Sequence, residues 1–166
     1  VKNVVTDGQL HQRNALAVIA LCAGLALGVM AIGQFLLGLG VLAGAICGFF
    51  IDPDLDHEWK TISEGRISRM FGKTIGKLFR AYWSPYEIMF EHRSVWSHGG
   101  PPPFGWLVMF LVATPIRILY AIGLPIVLLG GIETIQSALL WQPLFWAGLY
   151  WGWAAQDLVH WLRDYL

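Results

Sequence analysis

From Ala15 to Ile51 almost every residue is apolar or glycine, and Gln34 is the one strongly polar side chain. A helix needs about 20 such residues to cross a bilayer, within a range of roughly 17–25. The run from 15 to 51 holds thirty-seven residues, too many for one crossing and enough for two. It therefore predicts a helical hairpin, 15–32 and 34–51, turning near Ile32-Gly33-Gln34. Two later apolar stretches, 104–131 and 137–155, complete the expectation. The chain reads as an all-α integral membrane protein of about four transmembrane helices, two hairpins in a single domain spanning 1–166. Pro115 and Pro125 fall inside the third stretch and predict a tilt or kink there.

Composition agrees with lipid as part of the solvent. Hydrophobic residues make up 56% of the chain and charged residues 13%, against about 25% charged in a typical soluble domain. The net charge is zero, so nothing points to nucleic acid. Cys22 and Cys47 lie inside apolar runs without metal-knuckle spacing and read as small packing residues. Gly40, Gly44 and Gly48 recur every four residues, as do Gly24 and Gly28, a spacing that lets helix backbones approach closely in lipid. Val1 to Asn14 is polar and lacks signal-peptide form, so the first apolar segment is expected to be retained.

Four crossings would put both termini and the 52–103 segment on one side. Lys2, Arg13, Lys60, Arg66, Arg69, Lys73, Lys77, Arg80, Arg93 and Arg163 all fall on that side, ten of the eleven basic residues. By the positive-inside rule that face is cytoplasmic. Within 52–103, Ile67, Met70, Phe71, Ile75, Leu78, Phe79 and Tyr82 follow helical spacing, with Arg66, Arg69, Lys73, Lys77 and Arg80 between them. This basic amphipathic segment suits the bilayer interface, its cations toward anionic lipid headgroups.

The five histidines and most carboxylates gather at the same ends of the spans. His11 precedes the first span, Asp52-Pro53-Asp54-Leu55-Asp56-His57 follows the second, and His92-Arg93-Ser94-Val95-Trp96-Ser97-His98-Gly99 precedes the third. Asp157, His160 and Asp164 close the fourth at helical spacing. Imidazole with carboxylate suits zinc, manganese or iron. Each group alone has a plain reading as a wet interfacial residue or a solvated turn. Their convergence from four distant segments favours a divalent-metal site. Arg117, a charge inside an apolar span, calls for a partner or a cavity.

The ordered set Gly8-Gln9-Leu10-His11, Pro53-Asp54-Leu55-Asp56, His92-Arg93 with Ser97-His98-Gly99, and His160-Trp161-Leu162-Arg163-Asp164 resembles a family of small uncharacterised metal-binding membrane proteins. These are related to the LexA-binding inner-membrane-associated metal-dependent hydrolases. Trp83-Ser84-Pro85-Tyr86 and Ile116-Arg117-Ile118-Leu119-Tyr120 are similar to further stretches of that family. The resemblance implies metal ligands at His11, Asp54, Asp56, His92, His98, His160 and Asp164, while Asp52 adds a third aspartate beside the motif.

Two functions follow. One is a metal-dependent hydrolase at the cytoplasmic interface, acting on a phosphoester or lipid-linked substrate. There Asp54 or Asp56 serves as ligand or general base, and Arg93 and Arg117 hold an anionic group. The other is a non-enzymatic subunit of a larger membrane protein complex, its metal purely structural.

Overall fold

A computed structural model describes residues 4–56, 61–91 and 94–165, except the side chains of 4–11, 56 and 141. Among the described residues every regular element is helical. Helices α1 (Val4–Ala31) and α2 (Phe35–Phe50) form the hairpin expected from the apolar run. The chain reverses through Gly33, whose φ of +87° is open to a residue without Cβ. Two helices are long and apolar enough to cross a membrane, Gln12–Ala31 within α1 and, further on, Gly105–Gly130; α2 is apolar but shorter.

Between the hairpins lie a 3-10 turn at Pro53–Asp56, then α3 (Ile62–Phe71), α4 (Lys73–Met89) and a single turn, α5 (Val95–His98). The periodic stretch 66–83 is not one helix. Gly72, at φ +92°, ends α3, and the chain folds back so that Ser68 lies against Gly76. Eight residues of continuous helix would hold those two about 12 Å apart. Arg80 accordingly reaches Glu64 of α3 at 3.9 Å as well as Glu87 of its own helix at 3.0 Å.

The third apolar stretch is α6 (Gly105–Gly130). It carries two wide π turns, Met109–Ala113 and Leu119–Gly123, ending two residues before Pro115 and Pro125 respectively. A proline removes a backbone donor and crowds the preceding turn, and widening that turn relieves the clash. The stretch 137–155 is split instead of continuous. Its first part belongs to α7 (Ile132–Trp141) and the rest to α8 (Pro143–Tyr165). Pro143 disfavours helical backbone at Gln142, where the break falls.

Helix α2 meets α8 almost backbone to backbone. A Cβ on Gly44 would run into the Leu149 carbonyl, one on Gly40 into Phe145, and ones on Gly148 and Gly152 into the Leu37 and Val41 carbonyls. Val18, Cys22 and Ala26 of α1 pack on Val41 and Ala45 of α2, with Ala155 and Val159 of α8 against them. A second cluster joins Leu55 of the 3-10 turn to Trp83 and Tyr86 of α4 and to Ile116 and Tyr120 of α6. A third sets Trp161 of α8 on Met109 and Ala113. Together these contacts hold the 3-10 turn and the end of α8 against α6.

Candidate metal centre

The 3-10 turn owes its place to the junction behind it. Helix α2 ends at Phe50, and the Arg66 guanidinium donates to the Phe49 carbonyl through Nη1, satisfying one of the carbonyls that a helix end leaves without a partner. The same guanidinium lies over the Phe49 ring, 4.0 Å from its centroid, and 3.7 Å from Asp52 Oδ2. Arg66 was expected on the solvent side of an amphipathic helix; it is 3% exposed. Thr61 caps α3 by accepting from the Glu64 amide at 3.1 Å, and the Asp52 amide donates to Ser63 Oγ at 3.3 Å. Pro53 then opens the 3-10 turn that carries Asp54.

Asp54 Oδ1 stands 3.4 Å from His98 Nε2 and 3.4 Å from His160 Nε2. Asp164 Oδ2 closes the group, 3.2 Å from His160 Nε2 and 4.0 Å from His98 Nε2. The donor atoms of Asp54, His98 and His160 all lie within 4.8 Å of one another. Donors bound to a tetrahedral zinc at its usual bond lengths sit about 3.3–3.6 Å apart. The spacing and the two-imidazole, two-carboxylate chemistry therefore fit a small divalent cation. His98 and His160 are 1% and 5% exposed, Asp54 and Asp164 29% and 17%. The group is walled by imidazole and opens on its carboxylate side.

The charges of these groups compensate one another. Burial acts to lower the His160 imidazole, but its hydrogen bonds with Asp164 and Asp54 outweigh that and push it up to about 10. Burial acts to raise the Asp54 carboxyl, and the two imidazoles outweigh it and hold the group well below the usual carboxylate range. Asp164 is lowered by His160 against the same opposing burial. Asp52 behaves differently: burial, with the Asp54 charge beside it, pushes it up to about 6.

A layer behind the group fixes its histidines. Ser97 Oγ lies 3.1 Å from His98 Nδ1, leaving Nε2 to face the carboxylates. Such a partner orients a ligating imidazole. Arg117 of α6 donates to the Ser97 carbonyl through Nη1, and through Nη2 meets Asp157 Oδ2 at 2.6 Å and Met109 Sδ at 3.4 Å. Thr114 donates to the same Asp157 oxygen. Asp157 is one turn before His160, so this network ties α5, α6 and α8 together at the level of both imidazoles. On the other side of His98, Gly99 and Gly100 both take φ of +79°, and a Cβ on Gly99 would strike the Gly105 carbonyl. Trp161 Nε1 donates to the Gly100 carbonyl at 2.8 Å and holds that turn to α8.

The structure thus brings Asp54, His98, His160 and Asp164 together. Arg117, read as a holder of substrate anions, is 0% exposed and turned to Asp157 and Ser97 behind the histidines. Asp157 shares a helix with His160 and Asp164 but engages α6. The side chains of His11 and Asp56, and all of His92 and Arg93, lie outside the described residues. The positioning roles of Ser97, Asp157 and Trp161 went unread. Asp157 had a signal, since an acid beside one apolar span is the natural partner of an arginine inside another.

A profile of the family described as "Uncharacterized metal-binding protein (DUF2227)" matches residues 6–165. No curated protein and no solved structure matches the chain.

Proposed function

Because the chain belongs to this family of uncharacterized metal-binding proteins, we propose that it is a membrane-embedded, metal-dependent hydrolase working at the cytoplasmic interface on a phosphoester or lipid-linked substrate. One observation carries the proposal. Two carboxylate oxygens and two imidazole Nε2 atoms from three separate segments meet at ligand spacing, with the carboxylate side open. His98, His160, Asp54 and Asp164 hold the cation, which this donor set suits to zinc, manganese or iron. His11, Asp56 and His92 are further donors in this reading, from the ordered motifs. A divalent cation there supplies Lewis acidity and brings water's pKa toward neutrality. Asp54, on the open side, or Asp56 takes up the proton released in hydrolysis. Arg93, next to His92 in sequence, holds an anionic group of the substrate in this reading.

The relation to the LexA-binding inner-membrane-associated hydrolases that the resemblance of the ordered motifs implies supports the hydrolytic part. The membrane part rests on four crossings: α1, α2, α6 and the apolar first half of α8, with the basic face cytoplasmic. The exposed Arg69, Lys73 and Lys77 stand beside exposed Met70, Phe71, Ile75 and Leu78, a surface for anionic lipid headgroups. A second reading, an accessory subunit of a membrane complex with a structural metal, is favoured by the four donors already filling a tetrahedral shell.

The test is metal content by plasma mass spectrometry on the detergent-purified protein and on a His98→Ala/His160→Ala variant. Hydrolysis of bis(p-nitrophenyl) phosphate and of short-chain phospholipids is assayed alongside. Near-stoichiometric transition metal, lost in the variant together with turnover, is the expected result. A folded, metal-free wild type sinks the proposal. Stoichiometric metal with no turnover on any phosphoester leaves only the accessory subunit.

A further inference from the structure

Next to the centre lies a small cleft, open on one side and walled by α1, α2, α3 and α8. Its lining includes His160, so the cleft and the centre share a wall. Asn14 and Arg163 stand with Asp52 and Pro53 around it, and Arg66 belongs to its wall. Gln156 shapes the floor: its amide donates to the Ala15 and Ala45 carbonyls, each at 3.1 Å, and so joins α1 and α2 to α8.

Arg66 is the informative member. Its contacts to the Phe49 carbonyl and to Asp52 both fall on Nη1. Nε and Nη2 are buried and make no hydrogen bond. Those two atoms form one edge of the guanidinium plane, a fork that matches two oxygens of one phosphoryl group. Two buried N–H donors without an acceptor are costly unless a ligand supplies one. Asp52 offsets part of the positive charge, and Arg163 adds a second cation on the same wall.

We propose that this cleft is the subsite for the phosphoryl group of the substrate, gripped side-on by Arg66 Nε and Nη2, with Arg163 and Asn14 at its edge. The proposal rests on the hydrolase reading for its purpose, and gives the anion-holding role to Arg66. Seated there, a phosphoryl group lies beside His160, which makes a phosphate ester the substrate class.

Isothermal titration of the detergent-purified protein tests it, with inorganic phosphate as one probe and dihexanoyl phosphatidate as the other. Arg66→Lys keeps a cation opposite Asp52 and removes the fork. The expected result is binding by wild type and about tenfold weaker binding by Arg66→Lys, roughly 1.4 kcal/mol, with metal content unchanged. Weakening for both probes assigns the subsite to any phosphoryl group; weakening for phosphatidate alone assigns it to a lipid headgroup. Equal binding by wild type and Arg66→Lys, or no binding by wild type, overturns the proposal. If Arg66→Lys fails to fold, Asn14→Asp takes its place by adding a like charge at the edge, and unchanged binding there overturns the subsite too. Metal analysis of the same samples keeps the two ideas apart, since a metal-free protein that binds phosphate through Arg66 overturns the hydrolase and not the subsite.

Discussion

Arg66 and Arg117 are both buried cations facing an aspartate, yet they are built for different tasks. Arg117 meets Asp157 at 2.6 Å and uses both terminal nitrogens, on Asp157, Met109 and the Ser97 carbonyl. Arg66 stands 3.7 Å from Asp52 and leaves a whole edge of its guanidinium unused, beside a cleft. The first is held through both terminal nitrogens at 0% exposure. The second is a cation only partly neutralised, placed where a ligand can reach the centre. Being buried and paired is therefore not enough to make an arginine structural; which edge is used decides it.

The largest effect that separates the two comes from removing each aspartate. Asp157→Leu strands a buried guanidinium, and breaking a buried pair from one side costs about 3–5 kcal/mol. Asp52→Asn at a looser pair, whose arginine keeps the Phe49 carbonyl and ring, should cost nothing at neutral pH, where burial already disfavours the Asp52 charge. Denaturant unfolding of the detergent-solubilised variants at neutral pH measures both. Equal losses would erase the distinction.

The same contrast between groups fully used and groups left open runs through the glycines. Gly44 faces the Leu149 carbonyl of α8, whereas nothing lies within 4 Å of where a Cβ on Gly24 would be. Gly44→Ala should cost about 3 kcal/mol by forcing two helices apart, and Gly24→Ala should be neutral or stabilising by up to about 1 kcal/mol. Both four-residue repeats look alike in sequence. Spacing marks a helix face that can pack closely, but the partner, here Gly148 and Gly152, comes only from tertiary structure. The hairpin at Gly33 and the all-helical fold were legible because a long apolar run admits few alternatives. Asp54, His98, His160 and Asp164 were legible as a group because apolar runs folded into hairpins bring their polar ends together whatever the packing. The breaks at Gly72 and Gln142 were harder to read. Each turns on one residue's backbone preference against an otherwise continuous pattern, and periodicity does not register a single break.

A smaller effect tests the comparison at the centre itself. Arg117 acts on His98 through the Ser97 carbonyl, so Arg117→Lys should weaken metal binding about 10–100-fold, as loss of an orienting partner does. Arg66→Lys, with no contact to either imidazole, should leave metal affinity within about twofold on the same scale. Competition with a chromophoric chelator gives the affinities. Cobalt substitution adds a signature: the visible spectrum should change in Arg117→Lys and stay as wild type in Arg66→Lys. A metal affinity that falls in both variants would mean that Arg66 belongs to the support of the centre and not to a separate subsite.

The last effect is in pH. Burial and the Asp54 charge raise Asp52 from its ordinary 3.8 to about 6, so the folded protein holds that proton more firmly than the unfolded chain does. The sign follows from linkage: the stabilisation is fully present below about pH 4 and is lost as pH rises through 6. Its size is on the order of 3 kcal/mol, from a shift of about two units at 1.36 kcal/mol each. Asp52→Asn cannot titrate, so the wild type should lose stability relative to this variant between pH 4.5 and 7. The measurement is the difference between their unfolding free energies across that range, in which titration common to both cancels. A flat difference would mean that Arg66 neutralises Asp52 as completely as a tight pair does. The Nε–Nη2 edge would then lie beside a charge already satisfied, and Arg66 would be a second fixture like Arg117. A slope of the expected sign leaves Asp52 a weak counter-ion, with Arg66 still carrying positive charge to offer a phosphoryl group.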